Sequence, residues 1–381
     1  MKIFIPFDYF KGIGGPTTFM INFKKVLDDN NFNYLEKWEK GCMIFFPIQY
    51  DLSVLFYLKK TGGKVIQRLD GVYYPSKNGK AYKKMNYQFK VIYLKYSDFI
   101  VFQSQYSLKQ CFTMLGGIPD CRYKIIYNGV DKSIFSPSNK KVSLQDPIIF
   151  ITTGNFRNVD MLEPIVKALD LLEKEFNFKL LVVGPITNQD LVPLINRTYI
   201  EYVGSLSLKG VAELLRNSDI FLYSHLNPPC PNSVIEAISC GSPVVGFNSG
   251  AMSELLYFSS ELLVPVNNKI FHRYKDFNFS LLKEKILYLI KNYNYYKLKA
   301  LEFSYLYDME YTAKQYLEVF HNVYNDTFPL REIPFEEKIR FYIIGIKEAI
   351  FKLKKYWFFK KIYILYKVVV RIIKILLVRL Y

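Results

Sequence analysis

Along most of this chain, short apolar runs of strand length alternate with stretches of helical periodicity, and a polar segment interrupts the alternation once. The strand-like runs of the first series are 2–6, 43–46, 64–69, 99–102 and 124–127. Helical patterns lie between them: Phe19, Phe23, Val26 and Leu27 recur at helical spacing, and 52–60 and 81–96 read the same way. Residues 136–147 are mostly polar, with Pro137, Ser138, Asn139, Lys140 and Lys141 ahead of Asp146 and Pro147, and read as a linker. A second series begins at once, with strands expected at 148–152, 179–183, 199–203, 220–223, 244–246 and 262–264. Its expected helices are 161–176, 208–217, 233–239, 253–257 and 280–292. Such alternation implies parallel sheets with helices on both faces. The expected fold class is therefore α/β: two doubly wound, Rossmann-like domains, 1–140 and 146–310, facing across a cleft. A closing helix (311–328) and a tail (329–381) follow. Ligands of such sheets bind beyond the C-terminal ends of the strands, which points to the cleft.

The composition allows this. The chain has 381 residues, 50% hydrophobic and 22% charged, which suits a globular protein of two or three domains. Cys42, Cys111, Cys121, Cys230 and Cys240 form no Cys-x-x-Cys pair, and His225, His272 and His321 are the only histidines. A structural metal site is not expected, and the scattered thiols suit a reducing compartment and buried apolar positions. The run Met1-Lys2-Ile3-Phe4-Ile5-Pro6 has no apolar stretch of signal-peptide length, so a cytoplasmic location is expected.

Charge is unevenly placed. Net charge is +17, and 331–381 hold thirteen Lys or Arg against four acids, +9 of the excess. Residues 349–381 contain no acid. Lys360, Lys367, Arg371 and Lys374 share one helical face, while Ile364, Leu365, Val368, Ile372 and Leu376 occupy the others. A spanning helix would place several of these charges in hydrocarbon, at roughly 2.5–3.5 kcal/mol each. An amphipathic helix lying on an anionic membrane surface avoids that cost. A partner helix or an oligomer contact is the rival reading. Nucleic acid is not an expected partner, because aliphatic residues interleave the charges.

Two loops carry candidate chemistry. Gly12-Ile13-Gly14-Gly15 lies between the first strand and a helix start, so its backbone can approach a phosphate closely; a plain turn is the rival. Pro231-Asn232-Ser233-Val234 opens a short helix whose first N–H groups are free for a phosphate or diphosphate. Glu236 follows within the first turn, where it can accept from sugar hydroxyls; an acid placed there for the helix dipole is the rival.

In their order, the segments resemble glycosyltransferase family 4, of the GT-B fold, over roughly residues 1 to 325 and most closely over 97–266. The residues that carry this are Ser97 to Ser104, Asn128-Gly129-Val130-Asp131 with Phe135, and Gly154-Asn155-Phe156-Arg157. Val183-Gly184-Pro185, Val203-Gly204, Ser218-Asp219, the 231–245 stretch, Gly250, Glu254 and Leu262-Leu263-Val264-Pro265 complete the set. The resemblance implies a retaining, metal-independent, hexosyltransferase-type enzyme. It would move a sugar from a nucleotide diphosphate sugar to an acceptor hydroxyl, with the leaving diphosphate taking the acceptor proton. No cofactor is implied.

The resemblance also implies roles. Arg157 would neutralise the leaving diphosphate, Gly14 and Gly15 would close on it, and Asn232, Ser233 and Val234 would donate backbone N–H groups. Glu236 would hold the ribose. Arg68, Asp70 and Gly71 would face the acceptor, with a structural Arg–Asp pair as the equal alternative. The acceptor would be a glycan or a lipid-linked glycan, in polysaccharide biosynthesis on the cytoplasmic face of a membrane. Two positions depart from the family. Pro228 stands where a first carboxylate is expected, eight residues before Glu236, and Asn158-Val159-Asp160 follow Arg157 without the expected lysine. Rival readings are a GT-B nucleotide-sugar epimerase and a catalytically degenerate binding or scaffold protein.

Overall fold

The computed structural model describes residues 1–9, 14–117, 121–138, 143–266 and 277–326, with Phe335 and Ile339. The tail helix expected at 349–381 lies outside the described residues, as do Gly12, Ile13 and residues 139–142 of the linker.

The first domain runs β1 (Ile3–Phe4), α1 (Gly15–Asp29), β2 (Met43–Pro47), α2 (Leu52–Lys60) and β3 (Val65–Leu69). Short helices α3 (Pro75–Asn78), α4 (Tyr82–Met85) and α5 (Tyr87–Val91) lead to β4 (Phe99–Phe102), α6 (Gln105–Leu115) and β5 (Arg122–Ile125). All pairings are parallel, in the order β1-β2-β3-β4-β5. Leu35 bridges to Phe4 on the free edge of β1. The chain thus winds outward from β1 to Leu35, then returns across β1 to lay down β2 to β5. Winding reverses between β1 and β2, and a crevice opens at their C-terminal ends.

The second domain runs β6 (Ile148–Thr153), α7 (Glu163–Asp170), β7 (Phe178–Val183), β8 (Ile200–Gly204), α8 (Leu208–Asn217) and β9 (Ile220–Tyr223). It continues with α9 (Asn232–Ser239), β10 (Val244–Asn248), α10 (Met252–Leu255), β11 (Leu263–Pro265), α11 (Phe279–Lys291) and α12 (Tyr293–Glu302). Its sheet order is β11-β10-β9-β6-β7-β8, so winding reverses between β6 and β9. Here too the crevice lies past the strand ends.

The last described helix, α13 (Met309–Asn325), returns to the first domain. The segment expected as a closing helix, 311–328, overlaps it. Met309, Ala313, Tyr316, Val319, Phe320 and Val323 join Phe19, Phe23 and Phe45 in one core. Val130 exchanges backbone hydrogen bonds with Tyr307 and Met309 as the chain crosses back. That crossing explains Gly129. A Cβ there would lie 2.7 Å from the backbone of Met309.

A parallel strand covered on both faces buries every side chain, so its polar members need partners. β3 shows this, since all five of its residues are buried. Gln67 donates to the carbonyl of Ile48 at 2.7 Å and accepts from Ser97 Oγ at 3.0 Å. Arg68 is fully buried. Its Nε donates to Tyr316 Oη at 3.0 Å, its Nη2 to Asn128 Oδ1 at 2.6 Å, and its Nη1 pairs with Asp70. The guanidinium carbon lies 3.7 Å from the centroid of the Phe19 ring.

The domains also meet directly. Glu254 of α10 accepts from the N–H groups of Gln105 and Tyr106 at 2.8 Å each, and from Tyr127 Oη at 2.9 Å. A carboxylate of one domain thereby caps helix α6 of the other, where the helix dipole favours it.

Several elements differ from the sequence reading, among them α12, which was not expected, and β5, which lies at Arg122–Ile125 rather than 124–127. Helix α6 was not expected, although Ser104 forms a capping box and Gly116 a left-handed C-cap. The single helix expected at 81–96 is broken at Asn86, whose side chain bonds the N–H and carbonyl of Tyr73 at 2.9 and 2.7 Å, and it ends in a π-turn at Ile92–Tyr96. The helix expected at 161–176 is shorter, Glu163–Asp170.

Replacing Arg68 by Met leaves Asp70 buried without its cation. The expected loss is about 3–5 kcal/mol of folding stability, read from the urea midpoint. A wild-type midpoint would show that the ion pair does not anchor the fold.

Candidate functional site

Both crevices open on one cleft of 1120 Å³. Gly14 and Gly15 line it after β1, and Asp70 and Gly71 after β3. Arg157 lines it from the turn after β6, and Asn232, Ser233 and Glu236 from the first turns of α9. Residues far apart in sequence thus meet at the two points where winding reverses.

Two of the ten candidates sit behind the wall. Arg68 is fully buried between α13 and the sheet, which favours the structural pair of its two readings. The side chain of Val234 is buried in the core of the second domain, so only its backbone can serve a ligand.

Helix α9 starts without a side-chain cap. Pro231 is the N-cap residue and has neither an N–H nor a side-chain acceptor to offer. The first N–H groups of α9 therefore have no intrahelical acceptor and suit an anion. Asn232 Oδ1 is held by Asn128 Nδ2 at 2.7 Å, and the same Asn128 donates to the carbonyl of Cys230 at 3.1 Å. Asn128 accepts from Arg68, so the helix start is tied to the buried guanidinium through one side chain.

Opposite α9, the first glycine loop leaves space. Gly14 is the N-cap of α1 with φ +154°, and a Cβ on Gly15 would meet no atom within 4 Å. The floor is tighter. Gly184 has φ +123°, and a Cβ there would sit 1.9 Å from the carbonyl oxygen of Gly154. Only glycine lets β6 and β7 close up beneath the cleft.

Burial pushes the Glu236 carboxyl up to about 7. Two acceptor oxygens on the first-domain side, Asp70 Oδ2 and Gln110 Oε1, are buried without a hydrogen-bond donor among the described residues. Asn155 Oδ1 and His225 Nε2 are likewise unpartnered on the second-domain side. A wall rich in acceptors lacking donors suits a ligand rich in hydroxyls.

The sequence reading missed His225, Lys77 and Gln110, all of which line the cleft. His225 lies just past the end of β9, a position where ligands of such sheets are bound. Its ring packs on Gly154, where a Cβ would lie 2.9 Å from His225 Cε1, and lies tilted against the Tyr223 ring with centroids 4.7 Å apart. Burial, with the nearby charge of Lys77, holds it down at about 3, so it is a neutral imidazole. Both departures noted above hold their places. Pro228 lines the cleft, and its carbonyl accepts from Ala251 N–H at 2.9 Å. Lys167, the next lysine after Arg157, pairs with Glu163 on its own helix at 2.9 Å and faces elsewhere.

Residues 147–272 match the family model described as glycosyl transferases group 1. N-acetyl-alpha-D-glucosaminyl L-malate synthase of Bacillus anthracis is 26% identical over 149 residues, covering 36% of this chain and 39% of that protein. An uncharacterized glycosyltransferase of Methanocaldococcus jannaschii is 22% identical over 217 residues, covering 52% of this chain and 53% of that protein. The chain thus matches about half the length, or less, of these curated relatives. Among solved structures, Anabaena HepE in complex with UDP-glucose has a TM-score of 0.62 at 14% identity, covering 84% of this chain and 100% of that chain. WaaG, a glycosyltransferase involved in lipopolysaccharide biosynthesis, has a TM-score of 0.60 at 11% identity, with 84% and 99% covered. These likenesses show the fold, which is the GT-B arrangement the sequence resemblance implies.

The raised Glu236 carboxyl has a signed effect on stability. The folded state holds its proton more tightly than the unfolded chain, whose carboxyl titrates near 4.5. The stabilisation is complete below 4.5 and lost as pH rises through about 7. Wild type is therefore expected to lose stability relative to Glu236→Gln between about pH 5 and about pH 8, by urea unfolding. Parallel curves would show that Glu236 titrates as an ordinary carboxylate.

Proposed function

With the glycosyl transferases group 1 pattern across its second domain and the GT-B fold in both, we propose that this chain transfers a sugar from a nucleotide diphosphate sugar to an acceptor hydroxyl. One observation carries the reading: Gly14–Gly15, Arg157 and the start of α9 with Glu236 converge on a single cleft. The donor is a nucleotide diphosphate sugar, the ligand class that HepE holds as UDP-glucose.

In this reading the diphosphate lies between the first glycine loop and the N-terminus of α9. The N–H groups of Asn232, Ser233 and Val234 and the guanidinium of Arg157 stabilise the charge that grows on the leaving oxygen. Glu236 accepts from the ribose hydroxyls in its ionised form. The acceptor lies over Asp70 and Gly71, where Asp70 Oδ2 and Gln110 Oε1 await hydroxyl donors. As the bond from the anomeric carbon to the diphosphate oxygen breaks, the acceptor oxygen bonds that carbon on the same face. The acceptor proton passes to the departing diphosphate. Configuration is retained, and neither a protein base nor a metal is assigned a part. Pro228 offers the donor sugar a ring and a carbonyl already engaged, so contacts at the sugar end differ from those of a carboxylate.

The acceptor we propose is a glycan or lipid-linked glycan at the cytoplasmic face of a membrane. The basic amphipathic pattern of 349–381 supports this placement. Among the described residues, no helix is long and apolar enough to cross a membrane.

A panel of nucleotide sugars, assayed for transfer and donor hydrolysis with and without EDTA, tests the activity. Glu236→Ala and Arg157→Ala should each lower turnover by about a hundredfold or more while circular dichroism is unchanged. Full activity in both variants would refute the site. For the tail, deletion of 330–381 should abolish co-sedimentation with anionic vesicles, and unchanged sedimentation would remove the membrane assignment.

A further inference from the structure

Between β9 and α9 the chain passes through Asn227-Pro228-Pro229-Cys230-Pro231. Proline has no N–H, so this loop meets its neighbours mainly through carbonyls. The carbonyls from 228 to 230 are all taken. Pro228 accepts from Ala251 N–H within the second domain. Pro229 accepts from Ser104 Oγ, and Cys230 from Asn128 Nδ2, both of the first domain. Asn227 adds a side-chain crossing. Its Oδ1 accepts from Tyr106 Oη at 2.9 Å, while its own N–H donates to Ser249 Oγ at 2.9 Å. The Tyr106 ring packs against a core of the second domain.

The fit is steric as well as polar. Gly71 has φ +116°, and a Cβ there would lie 3.2 Å from Pro229 Cγ. Gly250 has φ +63°, and a Cβ there would lie 2.3 Å from the carbonyl oxygen of Pro228. Glycines on both sides thus let a stiff loop wedge between the domains. Asn227 has φ +56°, a left-handed conformation that asparagine tolerates. Beside the loop, the N–H groups of Gln105 and Tyr106 open α6 and have no acceptor within that helix. Glu254 of the second domain supplies one for each.

We propose that the loop 227–231 is a strut that sets the spacing of the two walls, with Tyr106 and Asn227 as positioning residues for transfer. The loop runs directly into α9, so its place fixes the donor-side helix start against Asp70 and Gly71 of the acceptor side. Proline suits a strut, because a chain with few alternative conformations loses little freedom when held. Pro228 thereby has a use of its own where a carboxylate was expected. Every partner in these contacts belongs to the chain itself, so the strut needs no ligand. Its link to turnover rests on the transfer reading above.

The test uses the full chain as wild type, Tyr106→Phe, Asn227→Gly, the double variant and Asn227→Asp. Asn227→Gly removes the acceptor at a position glycine tolerates, and Asn227→Asp keeps an acceptor there. The first readout is amide exchange at residues 105 and 106, whose protection comes across the domain boundary. Without ligand it should be slow in wild type and about threefold to tenfold faster in each single variant. The double variant should exchange no faster than the worse single one, because both lose the same bond. Asn227→Asp should resemble wild type. Unprotected rates in wild type, or wild-type rates in both single variants, would overturn the strut. The second readout is the ratio of transfer to donor hydrolysis, with the nucleotide sugar that the panel above identifies. An acceptor must be placed and water need not be, so the ratio should fall about threefold to tenfold in Tyr106→Phe and Asn227→Gly. It should return in Asn227→Asp. Equal losses of both activities would mark a general loosening of the fold and remove the positioning role. If wild type processed no nucleotide sugar, the transfer reading would fall, and amide exchange would still decide the strut.

Discussion

A single buried guanidinium organises this molecule. Arg68 sits where water cannot reach it, and removing such a charge from water costs several kcal/mol unless its donors are engaged. They are engaged by groups from different parts of the chain: Asp70 beyond β3, Tyr316 on α13 and Asn128 ahead of the linker. Phe19 of α1 covers the planar face. The rigid fork of arginine suits this task, since each donor points in a set direction, and a lysine would offer one mobile charge instead. The glycine loop is fixed through Phe19, four residues after Gly15. The start of α9 is fixed through Asn128 and Asn232. Two walls of the cleft are thus referred to one buried point.

The cleft follows from topology once those anchors hold. Each sheet reverses its winding at one place, and the cleft is lined by residues just past the strand ends there. Each domain alone would offer half a site. Facing the two reversals together gives a site with glycine and hydroxyl-seeking acceptors on one wall, and a helix start, a guanidinium and a carboxyl on the other. Glu254 keeps the walls in register from behind, where it caps α6 across the domain boundary. The domains are also held together at the cleft itself, where Asn128 bonds Asn232 and the carbonyl of Cys230.

Much of this was legible in sequence, for a physical reason. Strands buried on both faces read as continuous apolar runs, and 99–102 and 220–223 were found to the residue. The start of α9 was legible because its signals are adjacent in the chain. The pairing of Arg68 with Asp70 was legible as a possibility, since residues two apart on a strand share a face. Which face turned inward was not, because the covering residue, Tyr316, lies 248 positions later. Lys77 and His225 were invisible for the same reason. Each stands alone in its local sequence, and only the folded cleft brings them into one lining. Helix α6 carries its own periodic signal, since Leu108, Cys111, Phe112 and Leu115 recur at helical spacing and pack into one core. Its cap signals, at Ser104 and Gly116, were local and could have been read.

The return of α13 has a consequence for how the protein comes into being. A ribosome releases the first domain's sheet early, yet Tyr316, Phe320 and Val323 belong to the core that sheet must bury. Until they emerge, Phe23 and Phe45 lack a cover and Arg68 lacks one of its acceptors. One core of the second domain is drawn wholly from 144–296 and needs nothing from α13. The sheet made first is therefore the one whose cover is made later. The core of the N-terminal sheet is complete only with α13, and Gly129 leaves the room that the chain crossing at Met309 requires.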